Sequence, residues 1–129
     1  MNALTPSLTL SGKPMSFSQL ARIGANEVAI VADEAAMRRV ERARGVVERH
    51  IAAGKPVYGS TTGVGAMKDV AWTADELETF NMGLVRAHHF GTGAPFPSSI
   101  IRSAMAIRVN TALTGRVGNT PKVVERLKA

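Results

Sequence analysis

The sequence contains no cysteine and few aromatic residues, and these absences exclude several kinds of site. Without cysteine, the 129-residue chain can form neither a disulfide nor a thiolate metal site, which fits a reducing cytoplasm. Two of its three histidines, His88 and His89, are adjacent and would point about 100° apart on a helix. Because they could not easily share one ion, we expect no bound metal.

Long apolar runs are also absent. No stretch approaches the ~18 consecutive apolar residues that a membrane-spanning helix needs. The first residues lack the basic start and apolar run of a signal peptide. We therefore expect a cytoplasmic protein with no membrane partner.

The net charge of +6 raises the question of a nucleic-acid partner. Between Arg38 and Arg49, however, the arginines are interleaved with glutamates, a pattern typical of a solvated helix face with ion pairs one turn apart. The chain also has few aromatic side chains that could stack on bases. We therefore expect no nucleic-acid partner.

The residue pattern predicts a mainly α-helical fold with two short β-strands. Two capping boxes, Ser16 with Gln19 and Thr73 with Glu76, mark helix starts, and Asp33 is positioned to cap a third helix. The predicted strands lie within residues 5–12 and 27–31. The predicted helices span residues 16–24, 33–54, 73–90, 98–114 with Pro97 near the first turn, and 121–129.

The helix predicted over residues 98–114 is apolar nearly all round, which indicates burial on several sides. Arg102, Arg108 and Asn110 on the same helix would then need polar partners or access to solvent. The last predicted helix stops after about two turns with no capping residue. We expect that the natural chain continues or that a partner covers it; a frayed C-terminal helix is the alternative.

One glycine-rich segment contains the only tyrosine of the chain, Tyr58. It reads Tyr-Gly-Ser-Thr-Thr-Gly-Val-Gly from Tyr58 to Gly65. Glycines leave the main chain open to a ligand, and a phenol held on such a loop is a candidate acid or base. A tight surface turn with a half-buried tyrosine is the alternative interpretation. The segment lacks the Lys-Ser/Thr ending of a P-loop and the third spaced glycine of a dinucleotide fingerprint.

This segment resembles the Tyr-Gly-x-Asn/Thr-Thr-Gly-Phe-Gly loop of the histidine, phenylalanine and tyrosine ammonia-lyases, with Val64 in place of the usual phenylalanine. Residues 84–95 resemble the family's Leu-Val-x-Ser-His-x-x-Gly-x-Gly-x-Pro segment, although His89 and Phe90 are bulkier than the residues usual there. Residues 107–115 are similar to its Arg-x-Asn-x-Leu-x-x-Gly helix. The chain, from about Leu8 to its end, is thereby identified with the N-terminal region of the aromatic amino acid ammonia-lyase family.

The resemblance implies a reaction and roles for three residues. These enzymes remove ammonia from an aromatic α-amino acid and leave an α,β-unsaturated acid. By motif position, Tyr58 is the catalytic base that takes the β-proton, Gly65 lies against the substrate, and His88 faces the substrate ring. Without the resemblance, His88 is more simply interpreted as a core-edge histidine hydrogen-bonded to the backbone. A phenol has a pKa of about 10 in water, so a tyrosine base needs cations or dipoles that stabilise its phenolate.

The resemblance also implies an architecture. The chain is expected to be the N-terminal α/β-type subdomain of an ammonia-lyase-like, mostly helical protein, truncated before the central helical bundle. Residues 1–95 would form a substrate-loop domain and residues 96–129 the start of the bundle. The complete protein would be a homo-oligomer, a tetramer in this family, and the bundle would bury the apolar helix at residues 98–114.

The family's electrophile is a methylidene-imidazolone, made from an internal Ala-Ser-Gly. This chain contains no Ala-Ser-Gly, which in the family lies downstream. We therefore expect the 129 residues by themselves to be inactive. Two alternatives stay open: a 2,3-aminomutase of the same family, and a free-standing association domain with no catalytic function.

Overall fold

The computed structural model describes residues 6–70 and 72–128. Its elements are β1 (Ser7–Leu10), α1 (Phe17–Gly24), β2 (Ala29–Ala32), α2 (Glu34–Ala52), a 3₁₀ turn (Gly65–Met67), α3 (Ala74–His88), α4 (Ser98–Leu113) and α5 (Pro121–Lys128). The predicted mainly helical fold with two short strands is confirmed. Thr5 and Ala129, where the first predicted strand region began and the last helix ended, lie outside the described residues. No helix within the described ranges is both long and apolar enough to cross a membrane.

The chain divides into two compact units, Met1–Val46 with Pro95–Ala129, and Val47–Ala94. The predicted division at residue 95 concerned the domains of a longer protein and stays a prediction.

In the first unit, β1 and β2 pair in parallel, with Ser7 opposite Ala29 and Leu10 opposite Ala32. Parallel strands need a crossover, and α1 supplies it. The core lies under this sheet and along α4. Its buried members are Leu10, Ile23, Val28, Ala36, Val40, Ala106, Val109, Ala112, Leu113 and Val124.

Local hydrogen bonds begin the helices as the sequence predicts. The Ser16 hydroxyl accepts from the Gln19 N–H at 3.2 Å, and the Gln19 side chain accepts from the Ser16 N–H at 2.8 Å. The Asp33 carboxylate accepts from the Ala36 N–H at 2.8 Å and so caps α2. Each cap satisfies a backbone donor that the helix itself leaves unpaired.

Only one side of α4 is buried within the described residues. Ala106, Val109 and Leu113 are fully covered, whereas Ile100 and Ile107 are 51% and 44% exposed. These residues supply only one covering layer, so the predicted burial on several sides, which was expected to come from the bundle of a longer protein, stays a prediction. Pro97 was predicted near the first turn of this helix. Its ψ of 142° is not helical, so Pro97 is the residue immediately before α4.

The polar residues of α4 have the partners or solvent access that the sequence analysis required. The Asn110 carboxamide accepts from the Gly12 N–H at 2.9 Å and donates to the Lys13 carbonyl at 2.8 Å. Arg102 donates to the Gly24 carbonyl at 3.3 Å, and Arg108 is exposed. Side chains of α4 thus hold both the loop after β1 and the end of α1.

Candidate active site

All three predicted site residues lie in the second unit, where a tight turn presents Tyr58. The Val57 carbonyl accepts from the N–H groups of Ser60 and Thr61, both at 2.9 Å. The Thr61 hydroxyl in turn accepts from the Val57 N–H at 2.8 Å. Gly59 has a φ of 65°, a left-handed conformation that glycine adopts without steric cost. The turn therefore follows from this sequence of small and hydroxyl residues.

The structure brings Tyr58 and Gly65 together. The Gly65 N–H donates to the Tyr58 phenol oxygen at 3.2 Å, across seven residues of sequence. Tyr58 is 67% exposed, so the tight-turn alternative is right about the turn and wrong about a half-buried ring. Gly65 has a φ of 58°, and its position without a side chain is open, with no atom within 4 Å of where a Cβ would stand. The arrangement is an exposed phenol whose oxygen is held by one backbone donor.

The centre of the loop is closed by Gly63, to which the sequence analysis gave no role of its own. A Cβ on Gly63 would lie 2.5 Å from the Met67 carbonyl oxygen. The Gly63 N–H donates to the Val70 carbonyl at 3.2 Å, and the buried Thr62 hydroxyl donates to the Gly63 carbonyl at 3.1 Å. Because the chain folds back so closely here, only glycine fits at residue 63. The contact joins residues that are four to seven positions apart, so spacing by itself did not reveal it.

His88 is the last residue of α3 and is exposed. Its Nδ1 lies 2.7 Å from the Leu84 carbonyl oxygen, and because a carbonyl only accepts, Nδ1 carries a proton. In the neutral ring Nε2 is then an acceptor. The backbone bond agrees with the core-edge alternative, but the exposure does not. Among the described residues, no hydrogen bond or ion pair joins His88 to Tyr58 or Gly65.

The helix that carries His88 is fixed at its start by the predicted capping box. The N–H and hydroxyl of Thr73 donate to the Glu76 carboxylate at 2.9 and 2.7 Å, and the Glu76 N–H donates to the Thr73 hydroxyl at 3.4 Å. These hydrogen bonds from Thr73 stabilise the charged carboxylate and lower the pKa of Glu76 below its ordinary value. The start of α3 is therefore pinned by local chemistry.

Trp72, to which no role was predicted from the sequence, lies against the loop, where its backbone N–H donates to the Thr61 carbonyl at 3.4 Å. The Trp72 ring stacks on Phe80 with centroids 5.5 Å apart. Its indole Nε1 is buried, and no hydrogen-bond partner for it is found among the described residues. A cavity of about 620 Å³ is lined by Thr61, Thr62 and Trp72 among others, but by none of the three predicted site residues.

Both the sequence and the structure of this chain are similar to those of known proteins. Residues 15–129 match the family described as aromatic amino acid lyase. Histidine ammonia-lyase from Halalkalibacterium halodurans is 35% identical over 120 residues, which cover 93% of this chain and 24% of that enzyme. The chain thus spans about a quarter of the length of the curated relatives it matches.

Two solved structures have the same fold over nearly the whole chain. Ergothionase, an ergothioneine degrading enzyme from Treponema denticola, has a TM-score of 0.89 at 32% identity and covers 95% of this chain and 24% of its own. Tyrosine aminomutase from Streptomyces globisporus has a TM-score of 0.84 at 26% identity and covers 95% of this chain and 23% of its own.

Proposed function

The chain belongs to the aromatic amino acid lyase family, and we propose that it is the part of a histidine ammonia-lyase-like enzyme that carries the catalytic base. The reaction would eliminate ammonia from an α-amino acid and leave an α,β-unsaturated acid. The observation that carries the proposal is the hydrogen bond from the Gly65 N–H to the Tyr58 oxygen, within the family's loop motif.

The surroundings of Tyr58 support the proposed role of a base that takes the β-proton. An N–H donor aimed at the phenol oxygen is complementary to negative charge on that oxygen. The oxygen has a second lone pair, and the ring is 67% exposed, so a substrate C–H group has access to it. In this role Gly65 both holds the base and, lacking a side chain, leaves room for the substrate beside the backbone.

His88 would select the substrate ring. With Nδ1 committed to the Leu84 carbonyl, the neutral side chain offers the lone pair of Nε2. A histidine imidazole N–H or a tyrosine hydroxyl can donate to that lone pair, whereas the phenyl ring of phenylalanine has no donor. We therefore favour histidine or tyrosine as the substrate, and histidine first because of the sequence relatives.

The chain does not supply its own electrophile. A methylidene-imidazolone forms from an Ala-Ser-Gly sequence. These 129 residues contain no Ala-Ser-Gly, so they cannot form or hold this group. The proposed enzyme is therefore active only as a longer protein, and these residues by themselves are inactive. By the same family argument the complete enzyme is a cytoplasmic homo-oligomer, a tetramer.

The proposal is tested by replacing Tyr58 with phenylalanine in the complete protein. Because a positioned base contributes roughly 10²–10⁴-fold, we expect kcat to fall by about 10³-fold. Ser60→Ala is the matched control, since it removes a hydroxyl from the same turn and should keep kcat within about twofold. Retention of kcat in Tyr58→Phe would exclude the base role.

Product analysis distinguishes the alternatives. Histidine, tyrosine and phenylalanine are supplied as substrates, and ergothioneine is added because ergothionase has the same fold at 32% identity. Release of ammonia with an unsaturated acid supports the lyase, and a β-amino acid supports the aminomutase, which the fold of tyrosine aminomutase keeps open. Consumption of none of these compounds would favour the non-catalytic association domain.

A further inference from the structure

A cavity of about 870 Å³ lies in the first unit, at the carboxyl ends of both strands. Ser11, Gly12 and Lys13 follow β1, Asp33 follows β2, and all four line the cavity. The carboxyl edge of parallel strands is where open α/β sheets bind ligands. This site is separate in sequence and in unit from the loop of Tyr58.

The cavity has an excess of positive charge. Lys13, Arg39 and Arg116 line it together with one carboxylate, Asp33. Asp33 is engaged at the start of α2, where it accepts from the Ala36 N–H at 2.8 Å. Among the described residues none of the three cations forms an ion pair. The lining side chains therefore carry a net charge of about +2, and such a surface concentrates anions.

Arg39 is held in place rather than free to move with solvent. Its Nη2 donates to the Ser11 carbonyl at 2.7 Å and to the Leu113 carbonyl at 3.3 Å. Gly115 lies so close that a Cβ there would be 2.7 Å from the Arg39 Cβ. No other donor of this guanidinium has a partner among the described residues, so a planar donor group stays available at a fixed position.

The loop that carries Lys13 is fixed as well. Asn110 accepts from the Gly12 N–H and donates to the Lys13 carbonyl, at 2.9 and 2.8 Å. Gly12 has a φ of 80°, and a Cβ on it would lie 2.8 Å from the Thr114 backbone nitrogen. The loop after β1 is thus held against the end of α4, so the backbone that carries the Lys13 side chain is fixed in position.

We propose that this cavity binds a small doubly charged oxyanion: a phosphate group, either free or carried by a small molecule. Arginine binds the oxygens of such a group through paired N–H donors, and lysine contributes a point charge. The volume lies within the range of about 300–1,000 Å³ that is usual for small-molecule sites. The open mouth leaves space for the rest of a phosphorylated compound.

Isothermal titration calorimetry of the complete protein tests the proposal. Inorganic phosphate and glycerol phosphate are titrated separately at constant ionic strength, with chloride as the balancing anion. We expect saturable binding, and at least about tenfold weaker binding in the double variant Lys13→Gln, Arg116→Gln. Tighter binding of glycerol phosphate would support a phosphorylated small molecule, and equal binding would support free phosphate.

The matched control is Lys122→Gln, Arg108→Gln, which removes the same charge from two exposed positions outside the cavity. It should change affinity by less than about twofold. An equal loss in both double variants, or no saturable binding of either probe, would overturn the proposal. Circular dichroism checks folding, and Arg116→Gln, which alters only an exposed residue of the loop after α4, replaces the double variant if that variant does not fold.

Discussion

Replacing Gly63 with alanine should destabilise the unit formed by Val47–Ala94. The added Cβ would lie 2.5 Å from the Met67 carbonyl oxygen and 2.7 Å from the Met67 Cβ. Both distances are shorter than non-bonded atoms allow, so the loop must move. That movement stretches the bond from the Gly63 N–H to the Val70 carbonyl, which is 3.2 Å long.

The magnitude follows from two contributions. Overpacking a closed site costs roughly 1–3 kcal/mol, and loss of one partly buried hydrogen bond costs about 1 kcal/mol. The free energy of unfolding should therefore fall by about 2–4 kcal/mol. A small unit has a urea m value of about 1 kcal/mol/M, so the unfolding midpoint should fall by roughly 2–4 M, or the unit should be unfolded without urea.

Tryptophan fluorescence measures this change in the right unit. Trp72 is the only tryptophan, it lies within Val47–Ala94, and it stacks on Phe80.

Two control variants separate the cost of steric contact from the cost of backbone conformation. Gly65→Ala has no atom near the new Cβ but has a φ of 58°, so it should cost about 1 kcal/mol. Gly83→Ala, inside α3 and also open, should gain about 0.5–1 kcal/mol.

From most to least stable, the expected order is Gly83→Ala, wild type, Gly65→Ala and Gly63→Ala. An unchanged midpoint in Gly63→Ala would refute the argument, because the loop would then have room for a side chain. Equal losses in the variants at residues 63 and 65 would show that a general sensitivity of the loop, and not the contact with Met67, sets the cost.

Three further predictions concern single contacts. Asn110→Ala removes both bonds to the loop after β1 and should cost about 2–3 kcal/mol in a thermal melt followed by circular dichroism, whereas Arg108→Ala, an exposed residue of the same helix, should stay within about 0.5 kcal/mol. Because the pKa of Glu76 is lowered in the folded state, its contribution to stability is present above about pH 4.3 and is lost as pH falls through the folded pKa. The stability difference between wild type and Glu76→Gln, read from tryptophan fluorescence, should therefore be larger near about pH 6 than near about pH 3; a pH-independent difference would contradict this assignment. Tyr58→Phe should cost less than about 1 kcal/mol in a urea titration, because it breaks one exposed hydrogen bond and keeps the ring.

Much of the local structure could be read from the sequence because it depends on neighbours. The capping boxes at Ser16 and Thr73 and the Asp33 cap each join residues three positions apart, so their bonds form wherever the helix starts. The motif around Tyr58 was likewise visible as a run of residue types. These features led to the mainly helical fold, the candidate base and the family.

The tertiary structure decided what long-range packing controls. Sequence spacing did not show that β1 and β2 pair in parallel. Nor did it show that Asn110 binds Lys13 and Gly12, which are 97 and 98 positions earlier in the sequence. It also did not show that Gly63 is closed against Met67, or that one side of α4 stays exposed. Periodicity shows which apolar residues share a face of a helix. Which of these residues are buried depends on the elements, distant in sequence, that pack against that face. For this protein the sequence indicated the candidate base, Tyr58, and determined the starts of the helices. The fold decided which backbone group contacts the Tyr58 oxygen and where positive charge without a carboxylate partner collects.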